Sequence, residues 1–229
     1  MIAKLDKVMY TAKAHAPAGL GSCVQSISTI RWSAAMTLAD KRNRACAKLL
    51  AEVHAITARE GINPSALHAF KLKLVALGRH TELFPFTDFA MPVAQGRNHP
   101  LLVEDDDGHG LYLTINLPGK MAAPHDHGIW CVNAALSGQE RHELFRRTDN
   151  AGKPGLATVV KTGEVIVQPG SGVAMADHDI HGTEVVGNEP AIGLALYGYA
   201  LTRFPSVVWY QPQFGSVRAV ASRRHAAMV

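Results

Sequence analysis

The sequence predicts a mainly β protein, a sandwich or barrel with a helical segment ahead of it. Three observations predict this. The chain changes character near residue 85. Before that point apolar residues recur at helical spacing. After residue 101 short apolar runs alternate with Gly- and Pro-rich turns.

The helical segment comes first. From Arg31 to Glu60 the stripe is Met36, Ala39, Cys46, Leu49, Val53 and Ile56, and Gly61 stops the helix. Asn63-Pro64 supplies an N-cap and a proline at the first helical position. Leu67, Phe70, Leu74 and Leu77 then stripe a second helix, ended by Gly78. These helices are expected to cover one flank of the β region.

The strands come next. "LLV" from 101 leads into the turn cluster "EDDDGHG". "LYLTINL" closes on Pro118-Gly119, and "IWCVNAAL" on Ser137-Gly138. "LATVVKTG", "EVIVQPG", "EVVGNEP" and "AIGLALYG" repeat the theme. All 229 residues fit one domain: 1–84 mostly helical, 95–210 the β-barrel, 211–229 a tail.

Composition excludes several classes. The charge of +4 is spread along the chain. The local cluster Arg218, Arg223, Arg224 and His225 reads as a solvated tail, and no basic face with interleaved aromatics suggests a nucleic-acid partner. No apolar run is long enough to span a bilayer, and no signal core succeeds the N-terminal lysines. Cysteines 23, 46 and 131 are odd in number and widely spaced, so they do not form a disulfide framework. A reducing, cytoplasmic setting is expected, with the chain a monomer or small homo-oligomer.

The chemistry gathers at "GKMAAPHDHGIWCVNAALSGQE", residues 119–140. Side chains at i and i+2 of a strand share a face, so His125 and His127 project together and Asp126 points away. Two imidazoles so placed can bind one metal ion. Strands of this kind with a histidine pair at one mouth point to a double-stranded β-helix, the jelly-roll barrel of the cupins.

Residues 119–138 resemble the first cupin motif, G-x5-H-x-H-x3/4-E-x6-G, at Gly119, His125, His127 and Gly138. Cys131 stands where that motif has glutamate. "PHDHGIW" resembles more closely the bacterial thiol dioxygenases acting on cysteine and 3-mercaptopropionate, which also lack the glutamate. "TGEVIVQPG", with Gly163, Pro169 and Gly170, resembles the opening of the second cupin motif, and "DIH" at 179–181 its metal histidine. The resemblance covers roughly 95–200.

It implies His181 as third ligand beside His125 and His127, with His178 in "ADHDIH" the competitor. Two histidines three apart cannot share one strand face. It also implies Fe(II), a small thiol substrate and O2. Three neutral imidazoles leave Fe(II) its full charge, which favours a thiolate. The product would be a sulfinate.

The resemblance bears on further residues. Tyr197 ends "AIGLALYG", and Cys131 lies four residues beyond His127, on its face by parity. In animal-type cysteine dioxygenases a Cys and a Tyr near these places join in a thioether. Tyr197 alone would donate a hydrogen bond to bound oxygen. Arg97 in "GRNHP" resembles the arginine that grips the substrate carboxylate, and Arg203 is a weaker candidate. One departure stands out. Many family members carry a Ser-His-Tyr relay on the last strand, where this chain has Gly193, Ala195 and Tyr197. The smaller side chains would make room for a bulkier thiol. Two alternatives stay open: a metal-dependent cupin enzyme of other chemistry, such as an isomerase or different oxygenase, and a metal-containing ligand-binding cupin.

Overall fold

The computed structural model describes residues 36–92, 96–150, 155–203, 206–212 and 216–221. Two helices lead. Helix α1 spans Leu38–Glu60. It begins at Thr37, which forms a reciprocal capping box with Asp40. The start is later than the stripe suggested, and residues 31–35 lie outside the described residues. Met36 and Ala39 are exposed ahead of the buried face, which is Cys46, Leu49, Leu50, Val53 and Ile56. Helix α2 spans Pro64–Gly78, with the Asn63 side chain accepting from the Ala66 N–H.

Among the described residues twelve strands complete the fold, in two six-stranded sheets. The first holds β1 (Arg97–Asn98), β2 (Leu101–Glu104), β3 (Gly110–Asn116), β5 (Cys131–Ser137), β8 (Gly172–Met175) and β10 (Ala191–Tyr197). Its path runs β1-β3-β10-β5-β8, with β2 paired to β3. The second holds β4 (Met121–Asp126), β6 (Glu140–Arg147), β7 (Val159–Val167), β9 (Ile180–Val185), β11 (Ser206–Gln211) and β12 (Ser216–Ala221). Its order is β12-β11-β4-β9-β6-β7. All strand pairings are antiparallel, and neighbours are drawn from distant parts of the chain. This is the double-stranded β-helix, the jelly-roll barrel, with the helical segment preceding it.

Alternation sorts the first sheet into two faces. Leu111, Leu113, Ile115, Val132, Ala134, Leu136, Leu194 and Leu196 point outward into one core with α1 and α2. Phe70 and Leu74 are fully buried there, and a side chain of that size stabilises by about 2–3 kcal/mol. Tyr112, Cys131, Ala195 and Tyr197 point inward, meeting Val167 of the second sheet. The inward faces line the barrel that carries the candidate site.

Three expectations are corrected here. "LATVVKTG" and "EVIVQPG" are one strand, β7, and no turn breaks it at Gly163. Gly163 pairs with Leu144, and a bulge beside it absorbs one residue. "EVVGNEP" is not a strand of its own, since only Glu184 and Val185 are extended, as the end of β9. The segment from 211, expected to be a tail, carries β12, which pairs along the whole of β11. Residues 222–229, with Arg223, Arg224 and His225, lie outside the described residues, as do the N-terminal lysines and Cys23.

Candidate metal centre

Strand register builds the site. His125 of β4 and His181 of β9 sit directly opposite each other in an antiparallel pair. Cross-strand partners share a face, so both rings enter the barrel together. Their centroids are 4.5 Å apart. β4 ends at Asp126, so His127 stands one residue past the strand. Its ring still turns inward, 4.8 Å from His125 and 5.2 Å from His181. One ligating atom from each of the three lies within 4.8 Å of the others. Gly128 comes next with φ +64, and the chain turns there towards β5.

The outer groups of the rings are held. The Nδ1 of His125 meets the Ala123 carbonyl oxygen at 2.8 Å. As a donor in that bond it leaves Nε2 with the lone pair. A backbone carbonyl holding the far nitrogen is a common arrangement for metal-binding histidines. Trp209 of β11 stacks on the His125 ring, centroid to centroid 4.5 Å. On the opposite face of β4, Asp126 accepts from the Tyr210 hydroxyl at 2.9 Å and from the Gly128 N–H at 3.0 Å. His181 Nε2 is buried with no hydrogen-bond partner among the described residues. A buried orphan nitrogen is costly unless a ligand satisfies it.

Electrostatics agree with that reading. Burial drives the His125 imidazole down to about 4. Burial, then the neighbouring ring charges, hold His127 and His181 well below the ordinary value. All three are neutral at pH 7, as metal ligation requires. The residues therefore fit a divalent transition ion, which takes neutral imidazole nitrogens as ligands.

His178, the competing third ligand, is exposed in a left-handed backbone conformation, φ +67. It faces Asp126 at 3.7 Å, and His181 occupies the cluster.

Tyr197 is buried, its ring 5.5 Å from that of His127. Burial, and next the neighbouring Cys131, push its phenol up, so it stays protonated. Cys131 is its register partner across β10 and β5. The parity argument that placed Cys131 on the face of His127 does not hold, because a turn and a change of sheet separate them. Cys131 reaches the barrel interior from the opposite sheet, and burial pushes its thiol up as well.

Arg97 on β1 bonds Asn116 Oδ1 through Nε at 3.0 Å and Thr183 Oγ1 through Nη2 at 3.2 Å. Thr183 lies two residues beyond His181 on the same strand, so Arg97 shares the chamber with the histidines. Arg203 instead pairs with Glu104 at 2.8 Å.

The sequence reading missed a polar wall. Glu140 and His142 alternate along β6, both inward. His142 Nδ1 lies 3.4 Å from His181 Nδ1, and His142 Nε2 lies 3.2 Å from Glu140 Oε2. Asn116 donates to Glu140 Oε1 at 3.0 Å. Burial alone would raise the Glu140 carboxyl, but the bond to His142 and the charges of His142 and Arg97 outweigh it and hold it low. The signal was present: E-x-H at i and i+2 within "ERHELFRR".

The departure at Gly193 also takes a different meaning. A Cβ built there would stand 2.7 Å from the Ala134 carbonyl oxygen and 3.2 Å from Thr114 Oγ1. The space is filled by backbone, so Gly193 opens no room for a larger substrate. Ala195, fully buried between Tyr112 and Tyr197, is the position where the missing relay leaves a smaller side chain.

Among the described residues no helix is long and apolar enough to cross a membrane. No family profile matches the chain, and no curated protein does. Solved structures do match. An uncharacterized conserved protein with a double-stranded beta-helix domain from Klebsiella pneumoniae is 17% identical over 52% of this chain and 85% of its own, with a TM-score of 0.35. Oxalate oxidase in complex with the substrate analogue glycolate is 14% identical, TM-score 0.40, over 53% of this chain. This chain spans 58% of the oxalate oxidase. KdgF from Halomonas sp. is 15% identical over 50% of this chain and 91% of its own, with a TM-score of 0.37.

Proposed function

We propose that the chain is a non-haem Fe(II)-dependent thiol dioxygenase that converts a small mercapto-carboxylate to its sulfinate, RSH + O2 → RSO2H. One observation carries the reading: three neutral imidazoles, two buried and one half-buried, gather at a barrel wall, with no carboxylate in their group among the described residues. Bound there, Fe(II) supplies affinity for a thiolate and the electrons that activate dioxygen.

The chain's own residues would do the rest. Arg97 carries five N–H donors on a planar fork, and Asn116 and Thr183 fix its plane. A guanidinium so held suits a substrate carboxylate. Tyr197, protonated and facing His127, would donate a hydrogen bond to the oxygen reacting with sulfur. Cys131 opposite it would pack as a small apolar wall.

The test is direct. Metal-free protein is loaded with Fe(II) under nitrogen. Cysteine, 3-mercaptopropionate and longer mercapto-acids are then offered under air. Oxygen uptake matched by sulfinate is the expected result. No uptake with any thiol would overturn the reading and leave the other cupin chemistries. Intact mass in the same samples reports on Cys131 and Tyr197, since a thioether between them removes two hydrogens.

A further inference from the structure

A second group of ligating side chains lies outside the barrel, and the proposed reaction does not use it. His54 comes from α1, and Asp105 and His109 from the turn between β2 and β3. The turn holds its own shape. The Asp105 N–H donates to the His109 carbonyl at 3.1 Å, and the Gly108 N–H to the Asp105 carbonyl at 3.0 Å. The His109 N–H donates to Asp105 Oδ1 at 2.8 Å. Gly108 takes φ +91, a conformation that favours glycine.

These bonds leave Asp105 Oδ2 facing two imidazoles. His54 Nε2 stands 2.7 Å from it and His109 Nδ1 3.1 Å. The other nitrogen of His54, Nδ1, stands 3.2 Å from Asp107 Oδ2. A neutral imidazole has one N–H. His54 can give it to Asp105 across the 2.7 Å contact, or an ion in place of that proton can draw His54 Nε2, His109 Nδ1 and Asp105 Oδ2 to one centre.

The donor set favours a metal. Two imidazole nitrogens and a carboxylate oxygen lie within 4.8 Å of one another. Donors bonded to one zinc-type ion at about 2.1 Å each stand roughly 3 Å apart, close to the 2.7 and 3.1 Å that separate Asp105 Oδ2 from the two imidazoles. Imidazole with carboxylate suits zinc and its neighbours, whereas calcium and magnesium prefer oxygen alone. Asp107 would then be the outer carboxylate that fixes the ring of a ligating histidine.

We propose that His54, Asp105 and His109 form a second, structural site for a zinc-type divalent ion, clamping α1 to the β2–β3 turn. The site stands independently of the barrel chemistry.

The experiment counts zinc on the full chain. Protein stripped with chelator is given zinc chloride and desalted, and the metal is measured by mass spectrometry. The wild type should retain about two ions per chain, and His54→Gln about one. His127→Ala, which disables the barrel site, should also retain about one and should melt higher with zinc. His127→Ala/His54→Gln should retain none and show no zinc-dependent rise in melting temperature. The proposal is overturned if His54→Gln holds as much zinc as the wild type, or if folded His127→Ala holds none. Either result leaves the cluster as side chains hydrogen-bonded to one another without an ion.

Discussion

Gly193→Ala is a one-carbon change with a computable consequence. The new Cβ would lie 2.7 Å from the Ala134 carbonyl oxygen and 3.2 Å from Thr114 Oγ1. The first obstacle is backbone of β5, which cannot rotate aside as a side chain would. Relief requires β10 and β5 to separate by several tenths of an ångström next to the bulge between Ile192 and Gly193. Overpacking of this kind costs about 1–3 kcal/mol. For a protein of this size, about 2 kcal/mol lowers the melting temperature by roughly 4–8 °C. Gly163→Ala is the matched control, because nothing lies within 4 Å of the Cβ built there and its φ is outside the left-handed region. That variant should be neutral or slightly stabilised, by up to about 1 kcal/mol from the lost freedom of the unfolded chain. Thermal melts and urea titrations monitored by circular dichroism would measure both. If the two variants melt together, the steric account of the missing serine is wrong, and Gly193 has to be explained by substrate room after all.

Three further outcomes are expected. His181→Ala should lose barrel metal, whereas His178→Ala should keep it, as read by iron content after desalting; the reverse pattern would reassign the third ligand. Arg97→Gln should raise KM for a mercapto-carboxylate by about 10- to 100-fold, the worth of a charge-assisted hydrogen bond, with a smaller effect on a thiol lacking the carboxylate; equal effects on both would remove Arg97 from substrate binding. In the metal-free protein His125 stays neutral down to about 4 when folded, while an unfolded imidazole protonates near 6.5. Stability is therefore full above about 6.5 and drains as pH falls towards about 4, by about 3 kcal/mol from His125; a urea midpoint unchanged between pH 7 and 5 would contradict this.

The legible features of the sequence are the local ones. The i, i+2 pair His125 and His127, and the Asn63-Pro64 helix start, are written in adjacent residues. The pairing of His125 with His181 is not, because it depends on which strands the barrel places side by side. "ERHELFRR" hid β6 because it carries so many charges; its inward Glu140 and His142 are legible only once the strand has two faces. Gly163 was read as a turn because glycine often breaks a strand, but here it stays paired with Leu144 and the bulge falls beside it. Gly193 shows the opposite failure. Its meaning lies in the carbonyl of Ala134, a group that no side-chain pattern announces.

Strand β10 is the party wall of the molecule. Leu194 and Leu196 belong to the helix-covered core, and Ala195 and Tyr197 to the barrel interior. The two sets interleave residue by residue on one backbone. A designer can therefore retune the chamber from its inner rank of positions and firm the scaffold from its outer rank. Any mutation that slides the strand lengthwise, however, disturbs both rooms at once.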